Sequence, residues 1–144
     1  MKLEELLERL IHQENELYNL HKLGETFATY ERPEFVDVFQ RIAEEELRHR
    51  KTLENMLKEG TLNETAIIDY LESLSIEPMM SETRAEPEDF EELILDTLIR
   101  EKNAYELYTK LGNTLKGSLS HIFKMMANEE LKHAYQLKLV YEAL

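Results

Sequence analysis

The chain has no cysteine and no tryptophan in 144 residues, only 4 glycines and 3 prolines, and no long apolar run. Without cysteine there can be no disulfide, no thiolate zinc or iron–sulfur site and no thiol catalysis in this chain, so metal or redox chemistry falls to nitrogen and oxygen ligands. Few glycines and prolines leave little to interrupt long helices. The N-terminal stretch, Leu3-Glu4-Glu5-Leu6-Leu7-Glu8-Arg9, breaks its leucines with charges, which suits neither a signal core nor a membrane span; a cytoplasmic location is the resulting expectation. Positive charge is scarce too, with 17 Lys and Arg against 30 Asp and Glu and a formal net charge of −13. Nucleic acid and anionic membrane both require clustered Lys and Arg, so neither is an expected partner.

What is present is 42% hydrophobic and 33% charged residues, enough for one domain with a buried core. Four segments carry an apolar stripe at three- and four-residue spacing, the mark of amphipathic helices. They run Leu3, Leu7, Leu10, Glu14, Leu17, His21; then Phe35, Phe39, Ile42, Glu46, His49, Leu53, Met56; then Phe90, Ile94, Thr97, Glu101, Ala104, Tyr108, Leu111, Leu115; and last Leu119, Phe123, Met126, Glu130, His133, Leu137, Val140, Leu144. Pro33 suits a first helical turn and Ser118 an N-cap. No strand pattern competes, and the expected fold is an all-α four-helix bundle. Short connections around Tyr30 to Pro33 and Leu115 to Ser118 predict two antiparallel hairpins, over 1–57 and 87–144. The long crossover between them, 58–86, predicts a short helix over Asn63 to Leu74 and an irregular stretch around Pro78, Met79 and Met80.

The stripes hold an anomaly. Glu14, Glu46, Glu101 and Glu130 occupy positions where leucine would be expected, and an unpaired carboxylate there costs several kcal/mol. Two of the four recur in a repeat: Ala43-Glu44-Glu45-Glu46-Leu47-Arg48-His49 returns as Ala127-Asn128-Glu129-Glu130-Leu131-Lys132-His133. In each copy a Glu precedes a His by three residues, so both side chains stand one turn apart on one helix face and can converge on one ion. Four carboxylates and two neutral imidazoles carry a charge that two divalent cations cancel. Measured from the short turns, at about 1.5 Å per residue, all four acids fall near mid-bundle. The expected metal ligands are Glu14, Glu46, His49, Glu101, Glu130 and His133.

That set, Glu14, Glu46-x-x-His49, Glu101 and Glu130-x-x-His133, resembles the ligands of the ferritin-like di-iron carboxylate proteins. The phrases Arg100-Glu101-Lys102-Asn103-Ala104-Tyr105-Glu106-Leu107-Tyr108 and Met126-Ala127-Asn128-Glu129-Glu130-Leu131-Lys132-His133 are most similar to the rubrerythrin branch. The resemblance covers all four stripes and implies a single ferritin-like domain over 1–144. It further implies a centre of two iron ions, with Glu46 and Glu130 as bridging or paired ligands, one His per metal, and Glu14 and Glu101 as terminal ligands. Two features depart from the branch. Ala104 stands where rubrerythrins carry an extra glutamate, and the chain lacks the rubredoxin domain that supplies electrons there.

Around the ligands, Tyr108 is either core packing or, as the resemblance implies, a donor to a ligand carboxylate; Tyr105 is similarly open. His21 holds the equivalent place in the first hairpin and reads as a substitute donor, a core residue or a further ligand. His12 and His121 fall off the stripes and read as solvated, Met125, Met126, Met79 and Met80 as gap fillers or crossover contacts, and Glu4-Glu5, Glu44-Glu45 and Glu91-Glu92 as exposed faces. The expected function is a non-haem di-iron oxidoreductase reducing hydrogen peroxide or dioxygen, restored by an external electron donor. Alternatives are ferroxidase-type iron oxidation with storage or delivery, a dimanganese catalase-like enzyme using the same ligands, and a bundle with a vestigial site. A small homodimer, with the hairpins of each chain kept together or swapped between chains, is the expected assembly.

Overall fold

The computed structural model describes residues 3–59 and 86–144. Among these, every regular element is helical: α1 (Leu3–Glu31), a 3₁₀ turn (Pro33–Phe35), α2 (Val36–Glu59), α3 (Phe90–Thr114) and α4 (Ser118–Glu142). Four helices without a strand are compatible with a four-helix bundle. The expected crossover helix and the stretch around Pro78, Met79 and Met80 lie outside the described residues. No helix among the described residues is long and apolar enough to cross a membrane.

The stripes become buried faces. Leu3, Leu7, Leu10 and Leu17 of α1, Phe39, Ile42, Leu53 and Met56 of α2, Ile94, Ala104 and Leu111 of α3, and Phe123, Met126 and Leu137 of α4 are all buried. Each side chain removed from water contributes about 1.5–3 kcal/mol for the larger aliphatic and aromatic types, enough to hold helices whose own propensity is modest. Leu144, at the end of the fourth stripe, is exposed, because it lies beyond the last helical turn. The most extensive packing is of α1 along α2 and of α3 along α4, with α1 also against α3.

Helix ends follow local chemistry, with one correction. Asp89 caps α3 by accepting a 2.8 Å hydrogen bond from the Glu92 amide, and Pro33 sits in the 3₁₀ turn leading into α2. Ser118, expected as the N-cap of the last helix, is instead its first residue. The cap is Gly117 at φ 68, a left-handed conformation that glycine adopts without steric cost, and no side chain caps that helix. Gly24 meets a different demand: a Cβ on it would stand 2.5 Å from the Phe39 ring, so hydrogen alone lets α1 approach α2 this closely.

The core is divided. One apolar cluster gathers Leu6, Leu10, Leu53, Tyr108, Phe123 and their neighbours; the other gathers Ala28, Phe39, Ile42, Phe90, Leu137 and Val140. His21, Glu46, His49, Thr97, Glu101, Glu130 and His133 lie in sequence between the two, whereas Glu14 stands within the first, between Leu10 and Leu17.

Candidate metal centre

Each helix brings its polar stripe residues inward. Glu14, Glu46, Glu101 and Glu130 have no exposed surface, and His49 and His133 are buried. The six form two overlapping groups, Glu14, Glu46, His49 and Glu130, and Glu46, Glu101, Glu130 and His133. Within each group one ligand atom per residue lies within 4.8 Å of all the others, and Glu46 and Glu130 belong to both. All six come from one chain.

The histidines present the same edge to the interior. His49 Nδ1 stands 2.8 Å from Glu130, and 3.6 Å from both Glu14 and Glu46. His133 Nδ1 stands 2.9 Å from Glu46, 3.5 Å from Glu101 and 3.8 Å from Glu130. Each Nε2 turns outward to an acid on the opposite motif helix: His49 to Glu129 at 2.5 Å, and His133 to Glu45. A carboxylate accepting from Nε2–H fixes the tautomer that leaves Nδ1 free to coordinate. Glu45 was expected on an exposed face with Glu44; only Glu44 is there, since Glu45 turns in to meet His133. Glu129 carried no expectation, yet the repeat aligns it with Glu45, and that doubled position was the available signal.

His21 and Tyr108 are likewise paired across the site. His21 Nε2 donates to Glu101 Oε1 at 2.8 Å, and the Tyr108 hydroxyl donates to Glu14 Oε1 at 2.5 Å, so each helix lacking a Glu-x-x-His motif braces the acid of the other. Both donors are completely buried, and Tyr108 also packs on the Phe123 ring. Tyr105 is half-buried against the core, whereas His12 and His121 are exposed. Met126 is buried and fills the core, whereas Met125 is half exposed, and the crossover it could otherwise meet lies outside the described residues. Ala104 is buried and offers no ligand atom.

The electrostatics explain why the cluster seeks positive charge. Burial and the neighbouring Glu46 charge push Glu14 up to about 8, and burial with the charges of Glu101 and Glu46 raises Glu130 well above the usual carboxylate range. Burial also opposes ionisation of Glu101, but contacts from Glu130 and His133 hold it well below that range; Glu46 is lowered in the same balance by Glu14 and the histidines. Burial pulls the histidines down, yet the carboxylates around them outweigh it and raise both. Protons alone would therefore balance the site as two imidazoliums, two neutral acids and two carboxylates. Arg100, buried next to Glu101 in sequence, reaches Glu16 at 3.2 Å and Asp96 at 3.4 Å.

Hydrogen bonding remains incomplete. One oxygen each of Glu14, Glu46 and Glu101 and both oxygens of Glu130 are buried without a well-aligned hydrogen bond, and so is His49 Nδ1 despite its 2.8 Å approach to Glu130. Buried polar atoms in that condition cost about 1–3 kcal/mol each, and more when charged. These atoms belong to residues that converge to within 4.8 Å in each group, and a cation in each group would satisfy several of them together. Each group, with its carboxylates and one imidazole, could hold a metal ion. No protein-family model, curated protein or solved structure matches the chain.

Proposed function

We propose that the protein is a non-haem dinuclear-metal oxidoreductase that reduces hydrogen peroxide or dioxygen. The observation that carries this reading is the buried pair of ligand groups sharing Glu46 and Glu130, with their unpartnered oxygens. Glu14 and His49 would hold one ion, Glu101 and His133 the other, and the two shared acids would lie between them. Iron is the favoured metal, and manganese fits the same ligands. Two ferrous ions so held would supply two electrons together, enough to cleave one O–O bond.

The protein's own groups do the remaining work. Apolar clusters on either side exclude water, which strengthens every charge interaction inside the site. Glu45 and Glu129 hold the imidazoles in the coordinating tautomer. His21 holds one oxygen of Glu101 and Tyr108 one oxygen of Glu14, so the other oxygen of each would be available to a metal ion. Tyr108 keeps its proton, since burial and the Glu14 charge raise its hydroxyl well above the usual phenol range. The reading includes the ferritin-like arrangement of two antiparallel hairpins joined by a crossover, and an external reductant.

The test is anaerobic stopped-flow mixing of the diferrous protein with H₂O₂ and, separately, with O₂. Rapid oxidation at one H₂O₂ per two ferrous ions is expected, and should be abolished in Glu46→Ala and Glu130→Ala. Full peroxide reduction in either variant would refute the assignment. Elemental analysis of protein purified from its own cells distinguishes iron from manganese.

A further inference from the structure

The outer face of α3 and α4 carries a groove of 820 Å³, with apolar walls from Leu98, Ile99, Leu131 and Tyr135. Ile99, Leu131 and Tyr135 are among the large apolar residues most open to solvent, at 44%, 47% and 60% exposure. The groove is also lined by Lys102, Lys132 and Lys138 and by no acid. In a chain of net charge −13, this local charge has the opposite sign. Lys102 and Lys138 lie 3.9 Å and 3.5 Å from Glu106 and Glu142, exposed pairs of the kind that exchange readily for other partners.

Position adds to charge. Leu131, Lys132 and Ala134 flank His133 along α4, and Lys102 follows Glu101 along α3, so the groove covers the outside of the turns whose inner side chains form half of the candidate centre. A molecule seated there stands about one helix diameter, roughly 10 Å, from those ligands. Glu86 and Pro87 line a different groove, between α1 and α3. A second copy meeting this face symmetrically would set the lysines against the same lysines, which disfavours it.

Resting on the proposed oxidoreductase reading, we propose that this groove docks an acidic electron-donor protein carrying a one-electron centre. Two reduced donor molecules, one H₂O₂ and two protons give two oxidised donors and two waters, each donor delivering one electron through the α3–α4 face. An apolar centre rimmed by charge suits a brief, steered encounter of this kind.

An acidic [2Fe–2S] ferredoxin serves as the probe, with neutral hydroquinone as the small-molecule control, on full-length iron-loaded protein. At low ionic strength, Lys102→Glu with Lys132→Glu and Lys138→Glu should slow ferredoxin reduction of the oxidised protein at least about tenfold and remove its salt dependence, while hydroquinone reduction stays within about twofold. With zinc-loaded protein, NMR shifts at Leu98, Ile99, Leu131 and Tyr135 should move on adding ferredoxin and should not move in the triple variant. An unchanged ferredoxin rate, shifts elsewhere or none, or equal slowing with hydroquinone would overturn the docking proposal. So would a wild-type oligomer that dissociates in the triple variant, because the face would then join copies of this chain. If the hydroquinone-reduced wild type fails to reduce peroxide, the oxidoreductase reading fails and this proposal with it; turnover with hydroquinone alongside an indifferent groove removes the docking alone.

Discussion

Glutamine in place of Glu45 or Glu129 keeps the size of the side chain but gives a weaker, neutral acceptor for the imidazole N–H. If these acids fix the coordinating edges of His133 and His49, Glu45→Gln and Glu129→Gln should each weaken metal binding by about 10- to 100-fold, read by competition with a chelator. Unchanged affinity would reduce the pair to surface contacts. The same residues mark where sequence reasoning stopped. Glu46, His49, Glu130 and His133 were legible because charge on an apolar stripe demands a partner, and His21 and Tyr108 were legible as stripe positions with several possible roles. Glu45 and Glu129 lie one residue off the stripe, where an acid ordinarily faces water, and only packing of α2 and α4 motifs against each other gives them a buried imidazole to meet.

Protonation gives a second prediction at this scale. Glu14 and Glu130 are raised from an ordinary 4.5, and His49 and His133 from 6.5, so the folded chain retains protons that the unfolded chain gives up. For the acids the loss of stability begins as pH rises above 4.5 and for Glu14 is complete near 8; for the histidines, stability present below 6.5 is lost as pH rises further. Glu101, held low, acts oppositely, and its contribution is lost as pH falls below 4.5. Chelator-treated protein should therefore be less stable to urea at pH 8 than at pH 5.5, while metal affinity rises over the same interval. Filling the site with two divalent ions at pH 7 should release about four protons per chain, from the two histidines and from Glu14 and Glu130, measurable by pH-stat. Release of none would mean that the metals bind elsewhere.

At the scale of elements, the stripes and short turns sufficed for four helices, since periodicity of this length has few competing explanations. Their ends were less legible. A serine cap and a glycine in the left-handed region are both ordinary starts for α4, and the choice of Gly117 depends on how the chain turns between Leu115 and Ser118. Gly24 tests the packing of α1 on α2. Gly24→Val must displace the Phe39 ring and should cost about 1–3 kcal/mol, seen as a lower denaturation midpoint. Metal content per folded chain should be unaffected, because Gly24 lies almost three turns beyond Glu14. A midpoint equal to wild type would mean that the helices separate there without cost.

For the whole molecule, the two candidate half-sites come from separate halves of the chain, Glu14, Glu46 and His49 from one and Glu101, Glu130 and His133 from the other. One chain completes the set, and an exchange of halves between two chains would preserve it, which makes a swapped dimer compatible with the same centre. Sedimentation should give a small oligomer, most simply a dimer; the mass of a large shell would move iron storage ahead of peroxide reduction. The most direct measurement is metal stoichiometry under anaerobic conditions, by ferrous titration with elemental analysis of the desalted protein. Two iron ions per chain in wild type, and at most one in Glu46→Ala or Glu130→Ala, are the expected values. Fewer than two in wild type with excess iron, or two retained when either shared glutamate is gone, would contradict the dinuclear centre.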